Sequence, residues 1–205
     1  MKLLDFFKIF KRKTTARRKL EADGYLPLLW EDDYCQVVIV PLENMAYVLK
    51  SIAEIEPLSE VSRTDFGFTE IFEHGEMPIT TISKEIREDY LMELLTVFGF
   101  ERATHIDYNY DKIIDCTTRQ TKAFGFSNFT IFFEIEGEFV KHVWLSISER
   151  VSLAETSVKK FEHIKSVLYR LGEECEMILV DWNSMELIDL RNRYQINNYL
   201  SYFWK

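Results

Sequence analysis

The chain has 205 residues, 47 % of them hydrophobic and 15 % aromatic, with only 4 prolines and 7 glycines. That composition excludes a disordered or low-complexity polymer, whose few apolar groups could not offset the entropy of ordering, and it supports one large domain with a substantial core. The formal charge is −9, but residues 1–20 hold eight cations against Asp5 alone, a local +7, which leaves −16 on the other 185 residues; so acidic a body repels nucleic-acid phosphates and suits a basic partner.

Residues 1–29 stand apart as a basic, amphipathic segment ahead of a single α+β domain over 30–205. As a helix, residues 3–10 would gather Leu3, Phe6, Phe7 and Phe10 on one side. Phe6, Phe7 and Phe10 with Lys11, Arg12 and Lys13 would then suit weak contact with an anionic membrane surface. The plainer reading is a short helix docked on its own domain, because one short segment binds lipid only weakly. The start is no secretory signal: its apolar stretch is short and broken by Asp5 and Lys8, and the basic cluster follows it. Cys35, Cys116 and Cys175 lie far apart and odd in number, which reads as free thiols in a reducing compartment. The expected location is cytoplasmic, with peripheral contact at an inner membrane if the foot is used.

Val37–Val40 is a β-branched run that suits a strand buried on both faces, ended by Pro41. Met45, Val48, Leu49, Ile52 and Ile55 follow at helical spacing, with Pro57 closing that helix. A strand is expected over 65–74, with residues 77–82 returning beside it despite Pro78. Ser83 is expected to cap a helix whose apolar face is Ile86, Tyr90, Leu91, Leu94, Leu95 and Phe98, and Gly99 ends it. Strands near 102–108 and 112–117 flank a turn at Asn109–Asp111, and 117–123 reads as a polar link. Phe129–Ile135 and Phe139–Ile147 form a hairpin around Gly137. Ser157 caps a helix with Val158, Phe161, Ile164, Leu168 and Leu171 on one face and Gly172 at its end. Met177–Val180 belongs inside the sheet, Asn183-Ser184 turns the chain into 187–190, and a last helix carries Ile196, Tyr199, Leu200, Phe203 and Trp204. Adjacent strands separated by single helices define an α+β fold: a mainly antiparallel sheet with helices packed on one side.

The chain carries one stretch twice. Aligned without a gap, residues 107–116 and 181–190 share Asp107/Asp181, Asn109/Asn183, Ile114/Ile188 and Asp115/Asp189. Phe68–Glu76 and Phe129–Glu138 match in the same order upstream. This predicts two internal hairpin–helix–hairpin repeats, at about 65–117 and 127–190.

If the two hairpins met, Asp107, Asp115, Asp181 and Asp189 could hold a hard divalent metal for hydrolysis. The simpler account is that Asp flanking a turn hydrogen-bonds the turn's backbone. Histidines are sparse, zinc spacing and phosphate-cradling loops are absent from the sequence, and no cofactor is expected. The stronger surface candidates are three acidic–aromatic segments: Trp30, Glu31, Asp32, Asp33 and Tyr34; Tyr108, Tyr110 and Asp111; and Trp182. Rings that supply burial beside acids that steer suit a basic protein surface.

Leu3-Leu4-Asp5-Phe6-Phe7-Lys8-Ile9-Phe10-Lys11-Arg12-Lys13 resembles the starts of many small, acidic, cytosolic bacterial proteins, among them immunity proteins that neutralise toxins. The resemblance implies a non-catalytic protein that blocks a basic toxin domain by occupying it. The leading expectation is therefore a protein-binding module of the immunity type, with no nucleic acid bound by the acidic body and a homodimer allowed. A metal-dependent hydrolase and a membrane-associated structural protein are the alternatives.

Overall fold

A computed structural model describes residues 24–30, 33–64, 67–68, 75–117, 119–126, 128–147 and 157–203. The expected basic foot at 1–19 lies outside the described residues, as do Glu31 and Asp32.

An α+β fold is built around a seven-stranded antiparallel sheet. Its strands are β2 (Val37–Pro41), β5 (Glu101–Arg102), β8 (Thr121–Phe126), β9 (Phe129–Glu136), β10 (Phe139–Ile147), β11 (Met177–Asp181) and β12 (Glu186–Asp189), in the order β12-β11-β2-β10-β9-β8-β5. Val37–Pro41 and Met177–Asp181 are buried at every residue and pair with each other, as their continuous apolar runs require of interior strands. A second sheet has the order β1-β6-β7, from β1 (Leu28–Leu29), β6 (His105–Tyr108) and β7 (Lys112–Asp115). Of the strand expected over 65–74 only Gly67–Phe68 (β4) is described, paired with Arg63–Thr64 (β3).

Helices α1 (Met45–Ser62), α2 (Glu88–Val97), α3 (Val158–Cys175) and α4 (Arg193–Phe203) do not all lie on one side of the large sheet. Leu91 and Leu95 of α2, Ile164 and Leu168 of α3, and Ile196 and Leu200 of α4 share a core with Ile39, Phe133, Leu145 and Leu179. Val48 of α1 and Ile106 of the small sheet pack with Val38, Val40, Phe132, Trp144 and Ile178 on the opposite face. Alternating apolar residues on both faces of β2, β9, β10 and β11 demand cover on both, so one helix and the small sheet must take the second face. Among the described residues no helix is long and apolar enough to cross a membrane.

Several local expectations are corrected, each for a visible reason. Pro57 lies inside α1, on the exposed side with Ala53, so the carbonyl it frees meets solvent. Residues 77–82 form no strand: Asn44 donates from Nδ2 to the Ile79 carbonyl (2.8 Å) and accepts from its N–H (2.9 Å), taking the bonds a partner strand would make. Ser83 sits in a 3-10 turn, Thr81–Lys84, and donates to the Thr80 carbonyl; α2 starts only at Glu88, whose N–H bonds the Glu138 carbonyl (2.9 Å) in place of a capping side chain. The polar link 117–123 conceals β8, because Lys122 is buried and donates to the carbonyls of Arg119 (2.8 Å) and Cys116 (3.4 Å). Gly172 does not end α3, which runs three residues further. A Cβ at 172 would stand 2.3 Å from the backbone of Leu190, so glycine there allows close helix–chain contact. Ser157 does cap α3, accepting from the N–H of Lys160 (3.3 Å), and Gly99 has the left-handed conformation (φ 72°) after α2.

The two hairpins aligned in the sequence are built differently. Tyr108 faces Lys112 across three residues, whereas Asp181 faces Glu186 across four, so the ungapped match is out of register by one residue. One hairpin lies in the small sheet and the other ends the large one.

Candidate functional site

The small sheet brings two of the acidic–aromatic segments together. β1 joins β6 in parallel, with Leu28 beside Asp107 and Leu29 beside Tyr108. The bonds Asp107 N–H to Pro27 O (2.9 Å) and Asn109 N–H to Leu29 O (3.0 Å) hold that register. Trp30 therefore emerges at the hairpin turn, where its ring meets Tyr110 edge-on with centroids 5.1 Å apart. Asn109 and Tyr110 both adopt positive φ (52° and 56°) in the tight turn over 109–111, a region that a tyrosine seldom adopts.

Tyr34 arrives from the other side. It lies in a single helical turn, Asp33–Gln36, that feeds β2. Its ring packs on His142 (4.5 Å) and edge-on to Trp144 (4.9 Å), and its hydroxyl donates to Glu134 Oε2 (3.3 Å). His142 Nε2 donates to the Tyr34 carbonyl (3.1 Å), which fixes the proton on that nitrogen. Burial holds the imidazole below the ordinary histidine range, against the opposing pull of the Tyr34 carbonyl and Glu134. Phe132, Trp144 and His142 form a stack behind Tyr34. Trp144 is 1 % exposed, and its indole Nε1 is buried without a partner among the described residues.

Between the two sheets lies an apolar pocket of about 330 Å³. Trp30, Tyr34, Tyr108 and Trp144 give it four aromatic walls, and Leu29, Ile106 and Ile114 give it an aliphatic floor. Thr121 and Glu134 supply its polar edge, and Glu134 is the one charged residue among the described lining. A wider hollow of about 680 Å³ runs between β12 and α4, past Glu186, Gln195 and Tyr202. It is open and mixed in character, so the smaller, ring-walled pocket is the better candidate.

The structure thus gathers Trp30, Tyr34, Tyr108 and Tyr110 at one place. Asp33 opens the helical turn beside it, and Asp111 is exposed on the hairpin turn. Trp182 stands one step away: its N–H bonds the Gln36 carbonyl (2.8 Å), and its ring packs with the core under α1 instead of lining the pocket. Trp144 and Glu134 were missed in the sequence. The signal for Glu134 was present, as a carboxylate interrupting the run Phe129-Thr-Ile-Phe-Phe.

The four paired acids do not converge. Asp107 belongs to the small sheet on the α1 side of the large sheet, while Asp181 receives the hydroxyl of Tyr199 (2.8 Å) from α4 on the far side. Asp181 Oδ1 also accepts from the N–H groups of Asn183 (2.9 Å) and Ser184 (3.3 Å). Asp115 accepts from the N–H and hydroxyl of Thr117, and those bonds hold its carboxyl below the usual range. The Arg191 guanidinium does the same for Asp189 (3.0 and 2.8 Å). Among the described residues no three of His, Cys, Asp and Glu stand together as a metal site would need.

The fold and pocket define an α+β protein with an aromatic recess between two sheets. No family model, no curated protein and no solved structure matches the chain.

Proposed function

We propose that the chain is a non-catalytic protein-binding module of the immunity type, which blocks a basic toxin domain by covering it. One observation carries the reading: rings from separate segments, Trp30 (40 % exposed), Tyr34 (42 %) and Tyr108, surround an apolar pocket edged by Glu134 on a chain of net charge −9. Partly exposed Trp and Tyr beside an apolar recess are the usual anchors of a protein interface, and the surrounding acids would steer a basic partner and discriminate against acidic ones. Cys116 and Cys175 are buried free thiols, which supports a cytoplasmic setting. Residues of about 65–117 and 127–190 are read as diverged copies of one hairpin–helix–hairpin unit, on the matches Asp107/Asp181 and Asp115/Asp189 in the sequence.

The test is affinity capture from the native host and its competitors, with the wild-type chain and Trp30→Ala side by side. The reading predicts one stoichiometric basic protein that the wild type retains at low salt and loses as salt rises, and that Trp30→Ala fails to retain. Retention of the same proteins by both chains would overturn it.

A further inference from the structure

The pocket's chemistry is more specific than a general apolar anchor site. We propose that it receives the alkylammonium end of a lysine side chain of the partner, with the Trp30, Tyr34 and Tyr108 rings around the cation and Glu134 as its counter-ion. The proposal rests on the protein-binding reading above and names what the partner inserts.

Three features converge on a cation carried by an alkyl stem. Trp30, Tyr34 and Tyr108 wall a cavity of about 330 Å³ with the buried Trp144 behind them, and the negative faces of such rings attract an ammonium group while its methylenes lie against apolar surface. Glu134 Oε2 takes a bond from the Tyr34 hydroxyl at 3.3 Å, and among the described residues it forms no ion pair: Lys141, the nearby cation, pairs instead with Glu136 at 2.8 Å. The carboxylate at the edge of the apolar recess thus has no direct ion-pair partner among the described residues. No Lys, Arg or His is among the described lining residues. The aliphatic floor of Leu29, Ile106 and Ile114 matches a four-carbon stem and offers a flat, hydrogen-bonding guanidinium little.

A bare ammonium is strongly hydrated and wants three acceptors, whereas among the described side chains the polar edge offers the Thr121 hydroxyl, the Tyr34 hydroxyl and Glu134. Methylation spreads the charge and removes that demand. The site should therefore prefer an Nε-methylated lysine over a free one, and both over a neutral chain of equal length.

The experiment is tryptophan fluorescence and proton NMR titration of the full chain. The probes are N-acetyl-lysine methylamide, its Nε-trimethyl form, the corresponding norleucine compound and choline. The expected result is saturable binding of the trimethyl-lysine probe at a concentration about tenfold below that needed for norleucine, with free lysine between them. Glu134→Gln should raise that concentration by about tenfold. Trp30→Leu, which keeps apolar bulk but removes a π face, should do likewise, while Trp30→Phe should retain most of the binding.

Equal binding of norleucine and the lysine probes would overturn the proposal, as would unchanged binding in Glu134→Gln. Binding of choline alone would overturn the lysine assignment in favour of a free quaternary amine. If the probes fail while the wild type still captures a basic protein that Trp30→Ala loses, the ammonium inference falls and the protein-binding function stands.

Discussion

Tyr34 and His142 are joined twice. Their rings lie 4.5 Å apart, and His142 Nε2 donates to the Tyr34 carbonyl at 3.1 Å. This double contact ties the helical turn that carries Tyr34 to β10 and so sets one wall of the pocket. Because burial holds the His142 pKa below its ordinary value, the native state keeps the ring neutral where the unfolded chain, near pH 6.5, already binds a proton. Above about pH 6.5 neither state carries that proton and the contribution of His142 is complete. As pH falls through the lowered native pKa the contribution is lost. Thermal unfolding at about pH 7.5 and 5.5 should therefore show a larger drop in Tm for wild type than for His142→Phe, which keeps a ring and cannot charge. Equal drops would remove His142 from the pH response.

Asp181 and Tyr199 are 3 % and 5 % exposed and share a hydrogen bond of 2.8 Å. Burial and the charge of Asp181 push the Tyr199 phenol well above its ordinary range, so it stays a donor at any working pH. Removing that donor leaves a buried carboxylate short of a partner. Tyr199→Phe should cost about 1.5–3 kcal/mol in urea unfolding. Asp181→Asn keeps an acceptor and a similar shape, and it should cost less. Magnesium or manganese at millimolar levels should not raise the Tm of wild type, because both oxygens of Asp181 and of Asp189 already accept bonds. A metal-dependent rise in Tm abolished by Asp181→Asn would contradict this.

Gly172 is the point where α3 touches the chain between β12 and α4. A methyl group there would meet the Leu190 carbonyl carbon at 2.3 Å and the Arg191 nitrogen at 2.6 Å. Both are backbone atoms and cannot rotate away. Gly172→Ala should destabilise by about 1–3 kcal/mol, although alanine is the better helix former by about 1 kcal/mol. A stabilised variant in urea unfolding would show that α3 and residue 190 do not approach so closely.

Much of the architecture was legible wherever periodicity and burial agree. Val37–Val40, Met177–Val180 and the Phe129–Ile147 hairpin read correctly because their apolar pattern has one structural outcome. The last helix read correctly from Ile196, Tyr199 and Leu200. Failures occurred where one residue's partner is distant: Asn44 substitutes for a strand at Ile79, Glu138 substitutes for a cap at Glu88, and buried Lys122 disguises β8. Gly172 reads as a helix stop until its spatial neighbour Leu190 is known. At the pocket, the exposed rings Trp30, Tyr34 and Tyr110 announced themselves beside acids, but their meeting point depends on the parallel pairing of Leu28 with Asp107, which no local signal encodes. Trp144 looked like ordinary core for the same reason.

The interface should also show its electrostatics in salt. Exposed charges are largely screened beyond about 8 Å at physiological ionic strength, so the association rate should fall as salt rises while dissociation changes little. Truncating a ring at the pocket should instead speed dissociation, because packed aromatic anchors act on the bound state. Surface-binding kinetics on the captured partner would separate the two, and a salt-independent association rate would argue against steering by the acidic body.

The most direct measurement pairs two double variants in the same capture experiment. Trp30→Ala with Tyr34→Ala removes two rings at the pocket. Tyr194→Ala with Tyr202→Ala removes two rings that are more exposed, 73 % and 75 %, on α4 and outside the pocket lining. With both proteins folded by circular dichroism, the account predicts that a basic partner is retained by wild type and by the α4 variant and is lost from the pocket variant. Loss from the α4 variant with retention by the pocket variant would contradict the account and move the binding surface to the far side of the sheet.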